Sequence, residues 1–380
     1  MKHYDYIIAG AGAAGLSLLI RMLGSQKLSD KKILLVAKEP KTKNDKTWCF
    51  WEKEPDIFEP VVYKTWEELW FHSEDYTAKY KIAPYHYKII RSLDFYKYCM
   101  DIISQSPSVS VYYGEIEKIW LEDYGAIIYM QDGEQFHSTF VFNSILFSEP
   151  VLQKKQYSLL QHFKGWVIET AQPVFNENEA TLMDFRISQE KATSFVYVMP
   201  FSSTRALVEY TLFSKEILQT AGYDLALRNY IEQFLGTTDY TITEEEFGAI
   251  PMTNFRFPFR DGNIVNIGTA GGQTKASTGY TFRFIQKQCK LIIESLETNH
   301  HPFLTNDVLH KRFNWYDSTL LNVLSNNKLP GSFIFSELFR KNKITDVLRF
   351  LDNETNLLQE MKVITVLPKR IFFKAAFEEL

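Results

Sequence analysis

The chain opens with YDYIIAGAGAAGLSLLIRML, and those glycines limit what it can fold into more than any other feature. Residues 4–9 are an apolar strand pattern. Gly10, Gly12 and Gly15 follow as GxGxxG, and a helical pattern then runs to about Leu23. A second short strand, KKILLVA, comes at 31–37. Strand, glycine turn, helix, strand is the start of a doubly wound α/β sheet. Gly10 permits the tight turn, Gly12 lets a pyrophosphate approach the backbone, and Gly15 lets helix pack on strand. The helix N-terminus then attracts the phosphate charge. An acid usually ends the second strand and bonds the ribose hydroxyls. Here that position is Ala37, which leaves Glu39 as the candidate. Asp5 and the patterned glycines separate this stretch from a secretory leader.

At 380 residues the chain exceeds one compact core, so two or three lobes are expected. A net charge of −4 and the lack of any long Lys/Arg block argue against a nucleic-acid partner. Cys49, Cys99 and Cys289 are far apart, with no CxxC or His/Cys cluster, so no metal site or disulfide framework is expected. A reducing cytoplasm fits that usage. No run of ~18 apolar residues suggests a transmembrane helix.

A second glycine cluster lies in GNIVNIGTAGGQTKASTGYTF, 262–282. A short strand leads into Gly268, Gly271 and Gly272. A Ser-Thr-Gly turn with Thr278 and Gly279 precedes another helix. Two phosphate-friendly turns some 250 residues apart point to one split nucleotide domain, and FAD is long enough to need both. Between them the chain is rich in strands. Residues 38–60 read as a polar, then aromatic loop, 91–103 as a helix, and the end of the chain from about 281 as mostly helical. In RALVEYTLF, 205–213, Leu207, Glu209, Thr211 and Phe213 alternate onto one face of an apolar strand. An acid there is either an edge or ion-paired residue, or a proton donor whose pKa is raised by apolar neighbours.

Several segments in order over residues 1–285 resemble the lycopene β-cyclase family: DYIIAGAGAAGL, DKTWCFWE, YKIIRSLDFY, QHFKGWVIET, MDFRIS, FVYVMPFSSTRALVEYT, EEFGAIPMT and GTAGGQTKASTGYTF. Ala37 and Ala276 depart from that family's pattern. The resemblance implies a Rossmann-like FAD-binding domain with an inserted antiparallel β-sheet substrate domain and a helical C-terminal part. The nucleotide domain would take 1–60, 85–150 and 255–300. The substrate domain would take 61–84 and 151–254, and the helical part 301–380. The implied reaction is redox-neutral acid–base cyclisation of lycopene and then of the monocyclic carotene. Reduced FAD would be the cofactor and NAD(P)H the reductant. Residue by residue, the family's essential acid maps onto Glu209.

Glu169 in GWVIET is a second candidate acid, and Asp184 in MDFR either assists or pairs with Arg186 or Arg205. Arg91, between a strand and a helix, is a candidate FAD contact. Trp48, Phe50 and Trp51 either line a pocket or simply pack, and His162 reads as structural. A water-insoluble substrate implies peripheral membrane association. GSFIFSELFRKNKI and VLPKRIFFKAAF mix large apolar and basic residues, either as interfacial helices do or as ordinary core helices of the C-terminal part. The competing reading is another FAD-dependent enzyme, a monooxygenase or reductase of polyenes or aromatics. Oligomeric state has no signature.

Overall fold

The computed structural model describes residues 2–190, 192–304 and 308–380. The strand Lys2–Ala9 lies between Ile33–Ala37 and Gln135–Asn143, parallel to both. Val109–Tyr113 and Ile264–Asn266 extend this parallel sheet at its two sides. Ile33–Ala37 is buried throughout, as a strand covered on both faces must be. The helices Ala13–Leu23, Ser92–Ser104 and Phe282–Asn299 pack on one face through Leu16, Leu19, Phe95 and Ile285. The α/β fold class is as the glycine pattern predicts, and the late helix Phe282–Asn299 completes a domain begun by the first residues. Gln286 Nε2 donates to Ser17 Oγ at 2.8 Å, and a Cβ on Gly268 would stand 2.7 Å from the Ala14 Cβ.

A second sheet has seven strands, in the order Tyr240–Thr253, Ser158–Thr170, Arg205–Ser214, Thr193–Pro200, Glu179–Asp184, Glu68–His72 and Thr77–Lys81. All neighbours are antiparallel except the pair Glu179–Asp184 and Glu68–His72. Val196, Val208, Tyr210 and Leu212 face the helix Thr220–Tyr230 through Tyr223 and Leu227. On the opposite face Phe195, Met199, Leu207 and Phe213 join a core with the C-terminal helices. The Phe213 and Phe335 rings meet edge-on at 6.3 Å, and Phe185 stacks on Phe335 at 5.8 Å.

One expectation changes and one alternative is decided. The stretch 38–60 is not all loop: Thr47–Glu52 is a strand, antiparallel to His86–Arg91 in a three-stranded sheet. Its polar flanks hide the alternation, and the pairing partner is some forty residues away. Of the two readings of GSFIFSELFRKNKI, most of the segment takes the core one, although Phe333 is exposed. In the helix Gly331–Lys341, Ile334, Phe335, Leu338 and Phe339 are buried against the second sheet. More exposed apolar residues lie further on, in Leu357–Ile364 and Lys369–Glu378: Leu357, Leu358, Met361, Phe373 and Phe377. Lys362, Lys369, Arg370 and Lys374 share those two helices. Among the described residues no helix is long and apolar enough to cross a membrane.

Candidate active site

Each glycine turn follows a strand of the parallel sheet, Lys2–Ala9 for the first and Ile264–Asn266 for the second, and they approach each other where Gly268 meets Ala14. Gly10 has φ +105°, which favours glycine, and a Cβ there would lie 2.2 Å from Ser144 Oγ. A Cβ on Gly15 would meet the Gly10 carbonyl at 2.0 Å, so helix and strand pack in direct backbone contact. Gly12 differs: nothing lies within 4 Å of a Cβ built there. It caps Ala13–Leu23, so open space adjoins free backbone N–H groups at the positive end of a helix. At the second turn Gly279 has φ +71° and sits against the Gln161 carboxamide. Gln161 Oε1 and Thr278 Oγ1 are buried there without partners. An extended dinucleotide has phosphates for the first turn and polar ring atoms for the second, so the residues fit such a group.

A cavity of about 410 Å³ lies between the second sheet and this second turn. Its walls include Trp48, Phe163, Tyr197, Leu207, Tyr280 and Phe282, and Glu209 opens into it. The sheet register explains how the acid comes to be there. Glu209 stands directly opposite Tyr197 on one side and Gly165 on the other. Gly165 in turn stands opposite Glu246. Directly paired residues share a face, so Tyr197, Glu209, Gly165 and Glu246 form a row across four strands.

The row brings two carboxyl groups together. Glu209 keeps some accessibility through the cavity but is otherwise enclosed by protein. Burial pushes its carboxyl well above the ordinary range, and the charge of Glu246 pushes it further. Thr211 Oγ1 donates to Glu209 Oε1 at 2.9 Å, which opposes the shift in part. Glu246 is raised by burial, with the Thr47 hydroxyl acting against it through a 2.6 Å bond to Oε2. Cys49, Tyr87, Tyr197 and Tyr280 enclose the pair. Burial first, and neighbouring charge or phenol groups second, hold the Cys49, Tyr87 and Tyr197 protons in place. The site is therefore a largely aromatic cavity with a carboxyl group in its wall whose neutral form burial favours.

The other candidates are distributed as follows. Gly10, Gly12 and Gly15 form the first turn, and Gly268, Gly271, Gly272, Thr278 and Gly279 the second. Glu39 is exposed, two residues beyond the strand Ile33–Ala37. Arg91 caps the helix Ser92–Ser104, donates to Asp94 at 2.7 Å and lies 4.0 Å over the Tyr63 ring. Glu169 is not brought to Glu209. It is exposed at the rim, opposite Arg205, four residues or ~13 Å along the strand from Gly165. Asp184 is fully buried, held by two side-chain bonds from Arg186 and one from Tyr230, and so is structural. His162 is buried between Tyr223 and Ser214 on the opposite face of the sheet. Trp48 lines the cavity, whereas Phe50 and Trp51 pack behind it. Sequence reasoning missed Glu246, Gly165 and Tyr197. The signal for Glu246 was its period-two alignment with Gly248, Ile250 and Met252.

Known proteins resemble this chain at two levels. The flavoprotein/dehydrogenase structure from Cytophaga hutchinsonii superposes with a TM-score of 0.63 at 13% identity, covering 100% of both chains. That likeness is one of fold. Lycopene beta cyclase of Solanum lycopersicum is 26% identical over 298 residues, 73% of this chain and 57% of the tomato protein. Neoxanthin synthase of Solanum tuberosum is 25% identical, with the same coverage of each chain. The matches thus span little more than half the length of those relatives. The family described as lycopene cyclase protein matches residues 5–377, and the chain belongs to that family.

Proposed function

We propose that this chain is a lycopene β-cyclase, converting the linear ψ-end groups of lycopene to β-rings by way of γ-carotene. The observation that carries the reading is Glu209, an acid kept protonated by burial, at the wall of an aromatic cavity beside a dinucleotide cradle. An exposed Glu has a pKa of ~4.3 and would be ionised near neutrality. Glu209 holds its proton and can give it to the terminal carbon–carbon double bond. The electron pair of that bond takes the proton and leaves a tertiary carbocation. A second double bond of the same chain attacks the cation and closes a six-membered ring. The ring then loses a proton to the carboxylate, which restores the acid. Atoms and electrons balance with no net oxidation. Tyr197, Tyr280 and Trp48 line the cavity, where aromatic rings would stabilise the cation and shield it from water.

FAD is the proposed cofactor, held at Gly10, Gly12 and Gly15 and at Thr278 and Gly279. In its reduced form it would supply negative charge that favours the cation, and NAD(P)H would serve to keep it reduced. The exposed Phe373 and Phe377 among basic residues support docking on a membrane surface, where a water-insoluble carotene resides. An apolar cavity of about 180 Å³ within the C-terminal helices, reached beside Met361 and Phe373, supports passage of an apolar chain.

The experiment is an anaerobic assay with reduced FAD and lycopene in liposomes, with pigments separated by chromatography and reductant measured in parallel. Ring formation without net reductant consumption is expected. Consumption of NAD(P)H in proportion to product would replace this reading with a reductase or monooxygenase.

A further inference from the structure

Three consecutive glutamates, Glu244, Glu245 and Glu246, enter the second sheet together, and they meet different fates. Glu244 takes an ion pair from Arg205 at 2.7 Å, and Glu245 one from Lys164 at 3.0 Å. Glu246 turns inward and meets another carboxyl group instead. We propose that Glu246 is the positioning partner of Glu209: the two carboxyls share one proton across Gly165, with the negative charge on Glu246 and the proton on Glu209, facing the cavity. The proposal rests on Glu209 being the acid of the reaction, and deepens that reading.

The geometry argues for a built pair. A side chain at position 165 would separate the two acids. Its Cβ would stand 2.9 Å from Leu207 Cδ1, 3.0 Å from Glu246 Cγ and 3.2 Å from Glu246 Oε1. Glycine leaves a lane through which the carboxyls reach each other. Two buried carboxylates in contact cannot both ionise, so such a pair retains one proton where an isolated acid would lose it. The hydrogen bonds indicate which member carries the charge. Each acid accepts one threonine hydroxyl, Glu246 Oε2 from Thr47 at 2.6 Å and Glu209 Oε1 from Thr211 at 2.9 Å; the shorter bond favours the charge on Glu246, whose Oε1 has no other donor. It is free to accept the Glu209 proton. Only Glu209 of the two lies in the cavity wall.

The other titratable groups around the pair do not supply the effect. Cys49 comes from Thr47–Glu52, Tyr87 from His86–Arg91, Tyr197 from Thr193–Pro200 and Tyr280 from the second glycine turn, and all of them hold their protons. Glu244 adds a weaker repulsion along the strand of Glu246. Lys46 also lines the cavity. The nearby cations Arg205 and Lys164 are engaged by Glu244 and Glu245.

The test needs no carotene. Infrared titration of the flavin-loaded protein, read at the carbonyl stretch of protonated carboxyl groups, follows the shared proton directly. Wild type should keep one such carboxyl well into the alkaline range. In Glu246→Gln the remaining acid has a neutral neighbour, and its midpoint should fall by roughly one pH unit or more. Glu209→Gln should show a similar fall for Glu246. Glu246→Asp, which keeps a second carboxyl one methylene short, should restore much of the wild-type midpoint and reports on folding. In the cyclisation assay, Glu246→Gln should move the alkaline limb of the rate by the same amount, with little change in KM. An unmoved midpoint in Glu246→Gln overturns the proposal. If the midpoints shift as expected but no carotene is cyclised, the pair stands and the cyclase reading falls.

Discussion

Glu209→Gln retains the side chain's size and its contact with Thr211 but has no acidic proton to give. Cyclisation should fall by ~10²–10⁴-fold, with flavin content and fold unchanged, whereas Glu209→Asp should lose less. Near-wild-type product from the Gln variant, measured with reduced FAD supplied, would move the acid role elsewhere. The same residue makes an expectation for stability. Its folded-state pKa is raised, so between the unfolded value near ~4.3 and the folded value the native state binds more protons than the unfolded chain. Stability from this group is full below the unfolded pKa and declines as pH rises toward the folded one. Thermal melts from pH 5 to pH 8 should therefore show wild type losing ground relative to Glu209→Gln. A parallel pair of curves would mean the carboxyl is not held neutral. Glu209 was legible because a lone acid interrupted an apolar alternation. Glu246 was not, because it ends a run of three acids whose other two members are the ion-paired surface residues that such a run usually denotes.

At the scale of elements, the glycine turns were the most legible feature, since the backbone demands of a phosphate cradle leave few residue choices. Gly12→Val should fold, because a Cβ there meets nothing within 4 Å and the backbone is extended at that cap. The branched side chain would occupy the phosphate approach, so purified protein should lack flavin absorbance. Stoichiometric flavin in that variant would remove this turn from the cofactor site. The strand Thr47–Glu52 was hidden because it depends on a partner distant in sequence. The helix Gly331–Lys341 stayed open between two readings because large apolar residues beside Arg340 and Lys341 look the same whether the apolar face meets lipid or a sheet. Phe335 is fully buried between Phe185 and Phe213, so Phe335→Ala should cost about 3–5 kcal/mol in chemical denaturation.

At the scale of the molecule, the antiparallel sheet, the strands Thr47–Glu52 and His86–Arg91 and the second glycine turn enclose the acid, and the C-terminal helices expose large apolar residues among basic ones. Flotation with anionic vesicles should recover the protein, and Phe373→Ser with Phe377→Ser should release most of it. Burying a phenylalanine contributes ~1.5–3 kcal/mol, so the pair governs binding by two orders of magnitude or more. Flotation indifferent to both residues would remove this surface from the docking account.

The split of the nucleotide domain also has a consequence for how the chain comes to be folded. Its first helix rests on Phe282–Asn299: Gln286 bonds Ser17, and the Cys289 thiol reaches the Ala14 carbonyl at 3.8 Å. The opening strand and helix must therefore wait, during synthesis, for a partner made hundreds of residues later. Cofactor loading then belongs to the end of synthesis, and a ribosome-stalled chain ending near residue 250 should emerge without a flavin and with its apolar N-terminal helix open to chaperones.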